Sequence, residues 1–226
     1  MLQKRLLKFD PDCRSCTRLA GFLDQTSAKY PGYHARPVPA FGDSAARLLI
    51  VGLAPGMHGA NATGRPFTGD YAGILLYRTL FDFGFSNHPE SVSRDDGLRL
   101  AGCRITNAVK CLPPQNKPQL EEVRNCNHYL HAEIAAMPQP GVIIALGKIA
   151  HDAVLRALDL RLSAHPFAHA RLHRVSPDHL LIDSYHCSRY NTQTRRLTPA
   201  MFAEVFRLAR SALSAAAPEG CLQEGE

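Results

Sequence analysis

The sequence predicts an α/β protein, a three-layer α/β/α sandwich built around a central parallel four-stranded sheet. Two observations favour this class. Short apolar runs alternate with longer segments whose apolar residues recur at helical spacing, which is typical of parallel strands joined by crossover helices. Glycine and polar residues follow each apolar run, as expected where a site forms at the carboxyl ends of the strands. The 226 residues can bury one core, so residues 1–226 are expected to form a single domain.

The predicted elements follow one another along the chain. The strands are the apolar runs at residues 47–51, 104–109, 141–147 and 179–184. The helices are the amphipathic segments at residues 71–83, 120–137, 148–160 and 199–213. Thr198 and Pro199 suit the cap and first position of the last helix. Prolines and glycines predict an extended loop over residues 30–42, and a frayed tail is expected from about residue 215.

The composition favours an intracellular protein with a polyanionic partner. Lysine and arginine outnumber aspartate and glutamate by 26 to 20, and the isoelectric point is about 9.0. Such an excess suits nucleic acid binding. No run approaches the roughly 18 apolar residues of a membrane span, and the first residues lack the apolar core of a signal peptide. We therefore expect a cytoplasmic, nucleoid-associated protein with no membrane partner.

Four of the seven cysteines form two groups that predict a metal centre. The predicted ligands are Cys13, Cys16, Cys111 and Cys126. Closely spaced cysteines in a reducing compartment bind metal more often than they form disulfides. Four thiolates suit a structural zinc ion or an iron-sulfur cluster, and the residues alone do not distinguish the two. The remaining cysteines, Cys103, Cys187 and Cys221, lie outside this pattern.

The glycine-rich loop after the first strand, residues 52–70, is not a nucleotide-binding fingerprint. Neither G-x-G-x-x-G nor G-x-x-x-x-G-K-[ST] fits it. Its glycines let backbone amides approach a ligand, and it supplies an aromatic ring at Phe67 and a carboxylate at Asp70. A Rossmann or P-loop enzyme is therefore disfavoured.

Four motifs occur in order along the chain. They are Gly52-Leu-Ala-Pro-Gly56, Thr63-Gly-Arg-Pro-Phe-Thr-Gly-Asp70, Thr106-Asn-Ala-Val-Lys-Cys-Leu-Pro-Pro114 and Tyr185-His-Cys-Ser-Arg-Tyr-Asn191. With these motifs and the four cysteines, the chain resembles the family 5 uracil-DNA glycosylases from residue 13 to about residue 210.

The resemblance implies a monofunctional DNA glycosylase of base excision repair. Such an enzyme hydrolyses the N-glycosidic bond of uracil, and of other deaminated bases such as hypoxanthine and xanthine, in double-stranded DNA. The resemblance also implies that the four cysteines hold a structural [4Fe-4S] cluster. A monomer suffices for this chemistry.

The same resemblance assigns roles in base recognition. Phe67 would lie against the face of the base, and Asn107 would bind its Watson-Crick edge, since an amide donates and accepts at once. His186 would donate a hydrogen bond to a carbonyl oxygen of the leaving base. Gly52 and Ala54 belong to a first motif that lacks the water-activating aspartate of better-known relatives. An apolar first motif implies a relaxed choice of base.

Asp70 is the candidate to replace that missing aspartate. It is the only carboxylate between Gly52 and Phe81, and the family keeps it in its Phe-Thr-Gly-Asp stretch. The alternative role is an N-cap of the helix that begins at Tyr71. The two roles are compatible.

DNA contact would come from the loop after the fourth strand and from basic residues elsewhere. The predicted DNA-binding residues are Arg65, Ser188, Arg189, Tyr190, Arg195 and Arg196, with Lys110 and Lys117 as further phosphate contacts. Arg189 and Tyr190 are the candidates for a wedge that fills the place of a flipped base. Many family members have glycine at the position of Arg195 and proline at that of Cys187.

Residues 165–173 carry three histidines, His165, His169 and His173. We expect this segment to be a basic surface loop, with zinc binding as the alternative.

Two other functions remain open from the sequence. A non-catalytic iron-sulfur protein that binds nucleic acid would share the cysteines and the basic residues, but would not need Asp70, Asn107 and His186 together. A zinc-stabilised hydrolase of a free nucleotide would be distinguished by competition of nucleotides with duplex DNA.

Overall fold

The computed structural model describes residues 9–215, and within them one six-stranded sheet forms the middle layer. The strands are β1 (Phe41–Gly42), β2 (Leu48–Gly52), β3 (Cys103–Asn107), β4 (Gly141–Leu146), β5 (Leu172–Arg174) and β6 (His179–Ser184). Their order across the sheet is β1-β3-β2-β4-β6-β5. The four central strands are parallel, and the edge strands β1 and β5 are antiparallel to their neighbours. The predicted parallel four-stranded sheet is confirmed as the centre of a larger sheet.

Helices cover both faces of the sheet. They are α1 (Thr17–Lys29), α2 (Ala60–Thr63), α3 (Tyr71–Asp82), α4 (Leu120–Ala135), α5 (Lys148–Ala157), α6 (Arg189–Gln193) and α7 (Pro199–Ala215). Alternate residues of β2 enter two cores. Leu48 and Ile50 pack with α3 and α7, whereas Leu49 and Val51 pack with α1, α4 and α5. Strands buried on both faces are apolar at nearly every position, which explains why the sequence pattern found them.

The capping prediction for the last helix is confirmed, because the Met201 amide donates to Thr198 Oγ1 at 3.2 Å. None of the described helices is long and apolar enough to span a membrane. The predicted frayed tail lies almost wholly outside the described residues, as does Cys221.

The two edge strands were not predicted. β1 has two residues and β5 has three, too few for a period-2 pattern to appear. β5 also corrects the interpretation of residues 165–173 as a basic surface loop. His173 lies in β5 and is buried, and His169 is half-buried.

Arg65 and Lys110 are not phosphate contacts, contrary to the sequence-based prediction. The Arg65 guanidinium is buried, pairs with Asp96 at 2.7 Å and lies 4.5 Å from the Phe41 ring centroid. Lys110 is also buried and pairs with Glu133 at 2.9 Å. Their charges are neutralised inside the protein and are not available to a ligand.

The Arg65–Asp96 pair stabilises the loop that follows β2. Burial raises the pKa of Asp96, but hydrogen bonds from Arg65 and from backbone amides outweigh this effect and lower the pKa to about 2. Because the folded-state pKa is below the ordinary value of 3.8, the pair contributes stability that is present above about pH 4 and is lost as the pH falls towards 2.

We expect Asp96→Ala to lower the free energy of unfolding by about 3–5 kcal/mol, because it leaves the Arg65 charge buried and unpaired. Urea unfolding at pH 7 measures this change. The matched control is Asp82→Ala, which removes the Asp82 partner of Arg78 from an exposed pair and is expected to cost less than about 1 kcal/mol. Equal costs for the two variants would contradict the structural role of Arg65.

Candidate active site

A pocket of about 360 Å³ lies beyond the carboxyl ends of β2, β3 and β6. Its lining residues are Leu53, Ala54, Gly56, Ala60, Phe67, Asp70, Ala72, Asn107, Asn116, His186, Ser188 and Arg189. Parallel α/β sheets place ligands at this edge. The structure therefore brings Asp70, Asn107 and His186, three residues predicted from separate motifs, into one cavity.

Asn107 is the last residue of β3 and stands opposite Gly52 in the register. Its side chain is buried, and Oδ1 has no hydrogen-bond partner among the described residues. A Cβ at position 52 would lie within 3 Å of the Asn107 amide and of the Phe67 ring. Gly52 thus lies behind the pocket, where the absence of a side chain lets these two groups meet.

Phe67 is buried and forms one wall of the pocket. Its ring stacks on the His186 ring with centroids 6.0 Å apart and an angle of 28° between the planes. The Phe67 backbone has φ of 56°, a left-handed conformation that is unfavourable for a bulky residue. Such strain persists where surrounding contacts impose it and is common at functional sites.

His186 follows β6 by two residues, and the Asn191 side chain donates to its backbone carbonyl at 2.8 Å. Its Nδ1 is buried without a partner among residues 9–215. Burial lowers the pKa of His186 to about 4, so the imidazole is neutral near pH 7. A neutral imidazole can still donate one hydrogen bond.

Asp70 serves as the N-cap of α3, since its Oδ1 accepts from the Gly73 amide at 2.9 Å. Its Oδ2 lies on the side of Gly56 and Gly59. Burial raises the pKa of Asp70, against the opposing effect of hydrogen bonds from the Gly73 and Ala72 amides. Asp70 therefore caps the helix through Oδ1 and also lines the pocket.

The loop after β6 continues from the pocket to the surface. Ser188 caps the short helix α6, and its Oγ accepts from the Asn191 amide. The Arg189 guanidinium lies over the Tyr71 ring at 5.3 Å. Tyr190 is 71% exposed. Of the two wedge candidates, Arg189 thus contacts an aromatic ring, whereas Tyr190 makes no ring or cation contact within residues 9–215.

The other predicted DNA-binding arginines lie outside the pocket lining. Arg195 and Arg196 are exposed, and the Arg196 guanidinium lies 4.7 Å from the Tyr185 ring centroid. Arg195 has φ of 57°, a left-handed conformation that glycine adopts more readily than arginine. Lys117 is exposed as well.

Asn116 was missed by the sequence analysis. It lines the pocket and ends the turn Pro114–Asn116. Its φ is 56°, and that of Gln115 is 55°. Two consecutive left-handed residues are not predictable from periodicity. The only signal was an asparagine after a proline pair, because asparagine tolerates this conformation.

The four predicted ligand cysteines line a second cavity, between α1, α4 and the segment after β3. The Lys110 amide donates to Cys126 Sγ at 3.3 Å, and the Asn125 side chain donates to Cys16 Sγ at 3.8 Å. Burial, with added repulsion from the neighbouring cysteines, raises the pKa of Cys111 to about 12. Four cysteines that line one cavity, two of them accepting N–H hydrogen bonds at sulfur, fit a metal centre, whose cations would stabilise the thiolates.

Two further cysteines lie apart from this centre. Cys103 and Cys187 are fully buried in the core that includes α3 and α7. Burial raises the pKa of the Cys187 thiol, which makes a nucleophilic role unfavourable.

Comparison with known proteins agrees with the motifs. The family model of the uracil DNA glycosylase superfamily matches residues 39–210. A type-5 uracil-DNA glycosylase of Thermus thermophilus is 48% identical over 203 residues, which are 88% of this chain and 92% of the relative. The type-5 enzyme of Pyrobaculum aerophilum is 43% identical over 215 residues, 93% of this chain and 91% of the relative. The chain therefore belongs to the uracil DNA glycosylase superfamily and, within it, to the type-5 uracil-DNA glycosylases.

Proposed function

We propose that the protein hydrolyses the N-glycosidic bond of uracil, and of hypoxanthine and xanthine, in double-stranded DNA. One observation carries the proposal. Asn107 Oδ1 and His186 Nδ1 are buried and unpartnered beside the same pocket. Buried polar atoms are rarely left unpaired, so a ligand with complementary donors and acceptors is expected between them. The type-5 uracil-DNA glycosylases among its relatives support this choice of ligand.

The Asn107 amide suits deaminated bases as a class. Deamination replaces an exocyclic amine by a carbonyl and places an N–H beside it. Uracil, hypoxanthine and xanthine share this pair of groups, and one amide can accept from the N–H while it donates to the carbonyl. The apolar wall at Leu53 and Ala54 adds no contact that would select among the three. Recognition by a common edge therefore supports a broad choice of base.

The base would reach the pocket by flipping out of the duplex. The Phe67 ring then lies against the face of the base, and Tyr190 fills the vacated stack as the wedge. Ser188 and Arg189 contact the backbone at the mouth of the pocket, while Arg195, Arg196 and Lys117 neutralise phosphates. The exposure of Tyr190, of the three arginines and of Lys117 supports this division of roles. A single chain supplies all the groups, so the enzyme would act as a monomer.

Bond cleavage places positive charge on the sugar and negative charge on the departing base. The neutral His186 imidazole donates a hydrogen bond to a carbonyl oxygen of the base, which stabilises the negative charge as it develops. Asp70 Oδ2, ionised, orients a water molecule for attack on the sugar and stabilises the positive charge. The cap at Oδ1 holds the carboxylate in place for this role.

The metal centre would be structural. Cys13, Cys16, Cys111 and Cys126 would hold a [4Fe-4S] cluster, which supplies rigid thiolate cross-links and moves no electrons in a hydrolysis. The cross-links would tie the start of α1 to the segment that carries Asn116.

We expect Asp70→Asn and His186→Ala each to lower the single-turnover rate of base release about 10²–10⁴-fold. The assay is alkaline strand cleavage of labelled duplexes that contain one uracil or one hypoxanthine. Because burial raises the pKa of Asp70, Asp70 takes up its proton at a higher pH than an ordinary aspartate does. As the pH is lowered, the wild-type rate should therefore begin to fall at that higher pH. If folded, metal-loaded wild-type protein releases a base from neither duplex, the proposal is refuted and a non-catalytic binding protein is favoured. Loss in His186→Ala alone would leave Asp70 as a helix cap.

Gly59→Ala tests the position of the Asp70 carboxylate without changing its chemistry. A Cβ at residue 59 would lie 2.6 Å from Asp70 Cβ and 2.8 Å from Oδ2, so the carboxylate must move. We expect at least a roughly tenfold loss of single-turnover rate, since small misplacements of catalytic groups are costly. Gly32→Ala is the control, because a Cβ there meets no atom within 4 Å. An unchanged rate in Gly59→Ala would argue against catalysis by Asp70.

Anaerobically purified protein is expected to contain about four iron atoms and four sulfides per chain. Cys111→Ala should remove most of both, whereas Cys103→Ala, a change in the core, should not. Elemental and sulfide analysis measures the contents. One zinc ion per chain without sulfide would identify the centre as a zinc site.

A further inference from the structure

Residues 165–173 lie alongside the carboxyl end of β6, the strand that leads to His186. The Ala170 amide donates to the Asp183 carbonyl at 2.9 Å, and the Asp183 amide donates to the Arg171 carbonyl at 2.9 Å. One step further along β6, the Tyr185 amide donates to His169 Nδ1 at 3.1 Å. The histidine-rich segment is therefore bonded to the backbone of β6 up to the residue that precedes His186.

The Asp183 side chain, which belongs to β6, holds residues 165–173 in place through hydrogen bonds. It is completely buried, and its two oxygens meet His151 Nδ1 at 2.6 Å, His173 Nε2 at 3.0 Å and the Ala168 amide at 3.1 Å. His151 Nε2 lies 2.8 Å from the His165 carbonyl oxygen. The buried carboxylate is thus fully hydrogen-bonded, as a buried charge must be.

The side chains of His151, His173 and Asp183 have potential ligand atoms within 4.8 Å of one another, close enough to bind one metal ion. The Asp183–His151 contact of 2.6 Å is shorter than the roughly 3.3 Å between two ligands of one tetrahedral zinc ion. Hydrogen bonding accounts for the arrangement without a metal.

His169 is the link between the anchored segment and the catalytic loop. Its ring stacks on Tyr185 with centroids 4.9 Å apart and 14° between the planes, and Arg196 lies over the Tyr185 ring. Burial lowers the pKa of His169, against an opposing backbone hydrogen bond at Met201. The Tyr185 amide can only donate, so His169 Nδ1 accepts this hydrogen bond and carries no proton.

The sheet itself cannot hold this part of the chain. Pairing of β6 with β4 ends at Ser184, and the Ser184 carbonyl accepts from the Gly147 amide. The Tyr185 amide is the next backbone donor, and it is the last before His186. Its only partner among residues 9–215 is His169. Rotation of the Tyr185 peptide would therefore move the His186 ring directly.

We propose that His169 is a positioning residue for His186, acting through the Tyr185 amide and ring. The proposal rests on the proposed glycosylase activity for its kinetic consequence. An imidazole donor displaced by a fraction of an ångström stabilises the departing base less well, while contacts to DNA are unchanged. Loss of His169 is therefore expected to lower the rate of the chemical step and to leave the affinity for DNA unchanged.

The experiment compares His169→Leu with His169→Asn. Leucine removes the acceptor, whereas the asparagine Oδ1 lies close to the place of Nδ1 and keeps it. On the uracil duplex, His169→Leu should lower the single-turnover rate about 10–100-fold with an unchanged affinity for DNA. His169→Asn should stay within about threefold of wild type. The control is His131→Leu, which removes a 2.8 Å histidine bond to the Ala157 carbonyl between α4 and α5 and should leave the rate unchanged.

Hydrogen exchange gives a second readout that does not need activity. The Tyr185 amide should exchange at least about tenfold faster in His169→Leu and at the wild-type rate in His169→Asn. If wild type released no base, the proposed activity would fail, and the exchange rates would still test the link. An unchanged Tyr185 exchange rate in His169→Leu would overturn the proposal. So would an activity loss that asparagine does not restore, or one that His131→Leu reproduces.

Discussion

The register between β2 and β3 is the constraint on which the pocket depends. Their parallel pairing ends with Gly52 opposite Asn107. Because Gly52 has no side chain, the Asn107 amide and the Phe67 ring approach each other across its backbone. A slip of one residue would turn every side chain of the strand to the other face and would remove the amide from the pocket. The loops that bring Asp70 and His186 add to a geometry that this pair of strands defines.

Burial acts on the two ionisable groups of the pocket in opposite directions. It lowers the pKa of His186 and raises that of Asp70, so both shifts favour the uncharged forms. A neutral imidazole is a hydrogen-bond donor that does not attract a competing anion. An uncharged base can therefore enter with little loss of solvation, and the charge that develops in the reaction meets groups already held in position. The basic residues proposed to contact the DNA backbone are exposed and lie apart from this buried pair.

The sequence predicted the parts of the structure that depend on local signals. The central strands β2 and β4 were found because both their faces are buried and their apolar runs are continuous. The cap, which was the alternative role given for Asp70, could be named because capping needs only an aspartate before a helix. Arg65 was misjudged because its partner, Asp96, is 31 residues away, and no local pattern reports whether a basic side chain is buried. His173 was misjudged for a similar reason, since β5 is defined by its pairing with β6.

The turn that carries Asn116 has a further consequence. Cys111 and Asn116 are five residues apart, and Pro113 and Pro114 lie between them. Proline fixes its own φ and restricts the residue before it, so this segment behaves as a stiff tether with little slack. One end lies in the cysteine cavity proposed as the metal site, and the other forms part of the pocket wall. Oxidation of these cysteines would therefore reach the pocket beside Asn107 and His186 as a change of its shape, even if the sheet and its two cores remained folded.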